Sequence, residues 1–74
     1  MLKTILDSQK IYIVLFDSGL LQLNFQDGSH VSYSDVPEGE YLELIGSLNP
    51  DHYYETVIKG DYPLSSRFLK YSER

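Results

Sequence analysis

The sequence predicts an α+β domain: an antiparallel three-stranded β-meander followed by two helices packed on one of its faces. Three observations predict it. Runs of β-branched and aromatic residues, broken by turn-forming residues, fill Ile11 to Ser34; the period becomes helical after Val36-Pro37; and Asn49-Pro50 opens a second helical pattern. At 74 residues the chain has room for one domain with a thin core.

The first strand is Ile11-Tyr12-Ile13-Val14-Leu15-Phe16, apolar on both faces and therefore expected to be central or covered on both sides. Asp17-Ser18-Gly19 is a turn signal before Leu20-Leu21-Gln22-Leu23-Asn24-Phe25. There Leu21, Leu23 and Phe25 share one face, and Gln22 and Asn24 the other, wet one. Gln26-Asp27-Gly28 supplies the next tight turn, with Gly28 free to take a positive φ. The third strand, Ser29 to Ser34, repeats the alternation, with Val31 and Tyr33 inward and His30, Ser32 and Ser34 outward.

Val36 before Pro37 is biased toward extended geometry, and Asp35 with Glu38 gives the following helix an acidic start that suits its dipole. Tyr41, Leu44, Ile45 and Leu48 form one apolar stripe that should pack on the sheet, while Glu38, Glu40 and Glu43 lie largely off it. Gly46 suggests a close backbone approach. In the second helix Asn49 is the cap and Pro50 the first-turn residue; Tyr54, Val57 and Ile58 share a face, and Gly60 is the stop. Beyond Pro63, Leu64, Phe68 and Tyr71 would line one side of a short helix and Arg67, Lys70 and Arg74 another.

The net charge is −5, unevenly distributed. Residues 1–58 carry Lys3 and Lys10 against nine acidic groups, whereas Lys59, Arg67, Lys70 and Arg74 outnumber Asp61 and Glu73 in the remainder. An acidic body repels a phosphate backbone, so generic duplex binding is disfavoured, while a small contact with a nucleotide or single strand fits the basic end. With no cysteine, disulfides, thiolate metal sites and cysteine nucleophiles are excluded. His30 and His52 are the only imidazoles, and His52 to Glu55 is the sole ligand-like spacing, so no metal is expected. No serine lies in a nucleophile elbow and no glycine cluster forms a phosphate cradle, so the chain reads as non-catalytic. The longest apolar run, within Ile11 to Phe16, is too short to span a bilayer, and a cytoplasmic protein is expected.

Seven tyrosines are a large share of so short a chain, much of it needed as core filler where tryptophan and cysteine are missing. Tyr53, Tyr54 and Tyr62 nevertheless sit beside Lys59, Arg67 and Lys70. Flat rings next to cations can hold a base and its phosphate, so these six are the candidate ligand-binding residues.

With these residues in place, the chain resembles the KTSC domain family, named for its occurrence at the C-terminus of some lysyl-tRNA synthetases. The resemblance runs from about Lys10 to Pro63, leaving 64–74 as a tail. It rests on Leu21-x-Leu23-x-Phe25-x-x-Gly28, Tyr33-x-x-Val36-Pro37-x-x-x-Tyr41-x-x-Leu44 and Tyr53-Tyr54-x-x-x-Ile58-x-x-x-Tyr62-Pro63. Two departures stand out: the family's central Tyr-x-Tyr reads Val31-Ser32-Tyr33, and the Ser/Gly-containing approach to the aromatic pair reads Asn49-Pro50-Asp51. The resemblance implies a small sheet followed by helices and no established catalysis. It also implies RNA binding as a suggested role, and occurrence as stand-alone copies in bacteria and phages, the group this lone domain is similar to.

Two function classes follow. The first is a non-catalytic module binding RNA or a nucleotide-like ligand through the six residues named above. The second is a protein-interaction or inhibitor module, of phage type, that presents the acidic stretch Asp35 to Glu43 or an open strand edge to a basic partner. A thin core with an open edge also favours a homodimer.

Overall fold

The computed structural model describes residues 1–70. It is an α+β fold whose sheet has four strands in sequential antiparallel order: β1 (Leu2–Ile5), β2 (Ile11–Asp17), β3 (Leu20–Phe25) and β4 (His30–Tyr33). Helix α1 (Glu38–Ile45) follows, then α2 (Pro50–Tyr53), which runs on as a π-helical turn over Tyr54–Ile58.

The three expected strands are present as β2 to β4, and β1 is the addition. Leu2 pairs with Phe16 and Ile5 with Ile13, placing β1 along the side of β2 away from β3. Its last two side chains invert the usual signal. Thr4 points toward the helices, where its Oγ1 meets the Tyr41 hydroxyl at 2.5 Å, while Ile5 is exposed on the other face. Alternation alone therefore gives no hint of a strand.

Register builds the two faces. Leu2, Phe16, Leu21 and Tyr33 form one row across the sheet, and Thr4, Val14, Leu23 and Val31 the next, both facing the helices. A bulge at Tyr12 shifts the register between Ile11 and Ile13, so that Ile11 rejoins this face and is fully buried. Against these rows pack Tyr41 and Leu44 of α1 and Tyr54 and Ile58 of the π turn. The Tyr33 and Tyr54 hydroxyls meet inside the core at 2.8 Å, so each ring buries its apolar body without losing a partner for its polar end.

The turns follow the expected chemistry. Ser18 and Gly19 both take positive φ in a two-residue hairpin loop, which matches the twist of the flanking strands. Gly28 takes φ +92° after Gln26 and Asp27. Asp27 Oδ1 accepts from the Ser29 amide and hydroxyl, which holds its carboxyl below the usual carboxylate range. Asn49 Oδ1 accepts from the His52 amide as an N-cap should, and Gly60 takes φ +90° after the π turn.

Three expectations are corrected. Leu48 is fully exposed, because α1 ends at Ile45 with Gly46 as its C-cap and the helical stripe stops with it. The outer face of the sheet is only partly wet: His30 is exposed there as expected, but Gln22 and Ser32 are buried, as are Ile13 and Leu15 of β2, the strand expected to be covered on both sides. The cover over Gln22 and Ser32 comes from the tail, which is not helical. Pro63 to Ser65 instead adds to the edge of β4, with Ser34 N donating to Pro63 O and Ser65 N to Ser32 O, each at 2.9 Å. Pro63 cannot donate, and the β4 edge offers main-chain groups that need partners, so the extended conformation wins over a short amphipathic helix. Tyr71 and Arg74 lie outside the described residues.

Candidate binding cleft

The antiparallel pairing of β2 with β3 brings the start of one strand beside the end of the other. Lys10 O accepts from the Gln26 amide at 2.8 Å, and Ile11 stands opposite Phe25. The Asp51 carboxylate fastens this corner to α2, accepting from Ser8 Oγ at 2.8 Å and from the Lys10 amide at 3.3 Å. The π turn then widens the helix where it passes Phe25, so Tyr54 points inward while Glu55 and Lys59 reach the rim. Such π segments recur at functional sites.

Between these elements lies a cleft of about 480 Å³ lined by Gln9, Lys10, Phe25, Gln26, Asp27, Tyr54, Glu55 and Lys59. The Phe25 and Tyr54 rings, 5.7 Å apart and tilted by 57°, form its apolar wall. Burial, reinforced by the Tyr33 hydroxyl, pushes the Tyr54 phenol above its ordinary ionisation range and keeps it neutral. Lys59 Nζ is 3.5 Å from Glu55 Oε2 in an exposed pair, which leaves the ammonium accessible to an anion.

Of the six candidate residues, the cleft gathers Tyr54 and Lys59. Tyr53 and Tyr62 are drawn elsewhere, since both hydroxyls donate to Glu40: Tyr53 to Oε1, and Tyr62 to Oε2 at 2.6 Å. Those bonds, with some burial, raise the Tyr53 phenol to about 12 and raise that of Tyr62 as well. Arg67 and Lys70 lie on the tail. The Arg67 carbonyl accepts from Ser32 Oγ, and Lys70 borders a shallow depression with Gln22, Asn24, His30, Phe68 and Leu69 on the sheet's outer face. Sequence reasoning missed Lys10, Phe25 and Gln26 as cleft residues, although the hairpin pairing set by Ser18-Gly19 carries the signal that brings positions 10 and 11 to 25 and 26. Among the described residues no group of three His, Cys, Asp or Glu could hold a metal ion, and no helix is long and apolar enough to cross a membrane.

The architecture is that of small α+β domains in which a meandering antiparallel sheet carries its helices on one face. It superposes on the crystal structure of a KTSC domain protein from Yersinia pestis with a TM-score of 0.78, at 20% sequence identity, over 86% of this chain and 93% of that one. Residues 7–62 match the KTSC domain, and the chain belongs to that family. No curated protein shows significant sequence similarity to it.

Proposed function

We propose that this protein is a small non-catalytic binding module that takes RNA or a nucleotide-like ligand in the cleft beside the π turn. The observation that carries the reading is the juxtaposition of the Phe25 and Tyr54 rings with the two ammonium groups of Lys10 and Lys59 on one opening. A base can lie against the partly exposed Phe25 ring, which the buried Tyr54 ring backs, a phosphate can meet the lysines, and the Gln26 side chain offers polar atoms near a base edge. Asp27 and Glu55 on the same rim disfavour a long phosphate tract, so a mononucleotide or one unpaired base fits better than a duplex.

Mononucleotides and short single-stranded RNAs, titrated into isotopically labelled protein, should shift the amide resonances of Gln26, Tyr54 and Lys59. Lys59→Glu and Lys10→Glu should each abolish the response, while Arg67→Glu and Lys70→Glu should leave it intact. With two phosphate contacts, affinity should fall about seven-fold between ~50 and ~200 mM salt. No shift at millimolar ligand removes the reading.

One observation favours the second reading, a protein-interaction module. Among the described residues β1 is paired only with β2, and Leu2 and Ile5 on it are exposed, so this edge can accept an added strand from a partner.

A further inference from the structure

On the rim of the cleft beside the π turn, the polar atoms next to Phe25 are already sorted by hydrogen-bonding sense. Gln26 is tied down on one side of its amide. Its Nε2 donates to Asp7 Oδ1 at 2.9 Å and to the Ser8 carbonyl at 3.0 Å, with the Ile11 carbonyl at 3.4 Å. All three partners are acceptors, so the amide stands in one orientation, because turning it over would set its oxygen against three others. The donor capacity of this side chain is spent inside the protein. What Gln26 has left for the cleft is Oε1, an acceptor.

Asp27, the next residue, lines the same cleft and also accepts only. Its Oδ1 takes the Ser29 amide at 2.9 Å and the Ser29 hydroxyl at 2.6 Å, while Oδ2 takes no hydrogen bond among the described residues. Those bonds hold the carboxyl below the ordinary carboxylate range, so at neutral pH it is ionised and has no hydrogen to give. A base edge set against Gln26 and Asp27 must therefore donate. Uracil presents one N–H between two carbonyls, and adenine and cytosine present one amino group beside a ring nitrogen that accepts. Guanine alone places two donors side by side, N1–H and the 2-amino group.

We propose that the cleft selects guanine nucleotides, with N1–H and the 2-amino group donating to the Asp27 carboxylate and Gln26 Oε1 while the base rests on Phe25 and the phosphate meets Lys10 and Lys59. This assignment rests on the nucleotide reading above and adds the identity of the base to it. Every other base sets an acceptor of its own against one of the two oxygens or leaves that oxygen bare. A site built to receive a hydrogen rejects the analogue that lacks it more sharply than an apolar pocket rejects a wrong shape. Phe25 and the lysines then supply affinity, and Asp27 and Gln26 supply the choice of base.

The test titrates guanosine, inosine, adenosine and uridine 5′-monophosphates separately into the full isotopically labelled chain and follows the amide resonances of Gln26, Asp27, Tyr54 and Lys59. Guanosine monophosphate should bind most tightly. Inosine monophosphate, which lacks only the 2-amino group, should bind about three- to ten-fold more weakly, the effect of one net hydrogen bond, and the adenosine and uridine nucleotides should lose at least as much. In Asp27→Asn the carboxamide keeps an oxygen for Ser29 and turns its amino group to the cleft. The guanine preference should then vanish, and adenosine monophosphate, whose N1 accepts from that amino group while its 6-amino group donates to Gln26, should become the tightest of the four. The wild-type series stands by itself should the variant fold poorly. Equal binding of the four nucleotides, tighter binding of another base by the wild type, or a guanine preference that survives in folded Asp27→Asn overturns the base assignment and leaves the nucleotide cleft standing. No shift with any of the four removes both.

Discussion

At the scale of single residues, Glu40 does the most unexpected work. One carboxylate receives two phenols, from Tyr53 thirteen residues away and Tyr62 twenty-two residues away, and so ties α1 both to α2 and to the segment entering the strap formed by the extended residues 63–70. Glu40→Gln keeps the shape but removes the charge that strengthens both bonds, and should cost about 1–2 kcal/mol in urea unfolding. The pH dependence has a definite sign. A phenol whose folded pKa lies above its unfolded value near 10 stabilises the fold fully below that pH, and the contribution is lost as pH rises toward about 12. Stability should therefore fall between those limits, and in Glu40→Gln the tyrosinate absorbance should develop earlier. From sequence alone Tyr53 and Tyr62 read as ligand-holding rings, because they flank Lys59. Nothing in local spacing reveals that a glutamate on another helix consumes their hydroxyls. Tyr54 was legible, since its place on the stripe with Val57 and Ile58 already turned it inward.

At the scale of elements, sequence pattern succeeded where one face was apolar and the other polar, and failed where neighbours supplied the missing half. Strands β2 to β4 and the start of α1 followed from alternation, turn residues and the Val36-Pro37 step. Strand β1 escaped because its alternation breaks after Leu2 and Lys3: the inward Thr4 serves Tyr41, and the outward Ile5 is apolar and exposed. The bulge at Tyr12 escaped because both neighbours of the extra residue are isoleucines, leaving no polar residue to mark the change of face. The stripe on α1 was right through Ile45 and wrong at Leu48, beyond the Gly46 cap. A matched pair of substitutions tests this: Leu44→Ala should lower stability by about 2–5 kcal/mol by opening a cavity, whereas Leu48→Ala should stay within about 0.5 kcal/mol, both read by chemical denaturation. The cleft was half legible. Tyr54 and Lys59 could be named from the sequence, but Lys10 and Phe25 needed the pairing of two strand ends.

At the scale of the whole molecule, the family match covers residues 7–62, and this chain flanks it with a strand on one border of the sheet and a strap on the other. The acidic excess of the body acts across the entire particle. Raising salt from ~10 to ~150 mM should screen that self-repulsion and raise the melting temperature by a few degrees. The same change should weaken nucleotide binding, so the two responses run in opposite directions in one thermal-shift series. The strap has a further consequence for how the surface can vary. Since Ser32 and Gln22 hold main-chain atoms of Ser65, Arg67 and Leu69, the outward side chains of Leu64, Ser66 and Arg67 are free to drift without unseating the ribbon. These positions form a writable label, where new epitopes or chemical handles can be grafted while the scaffold beneath stays as it is.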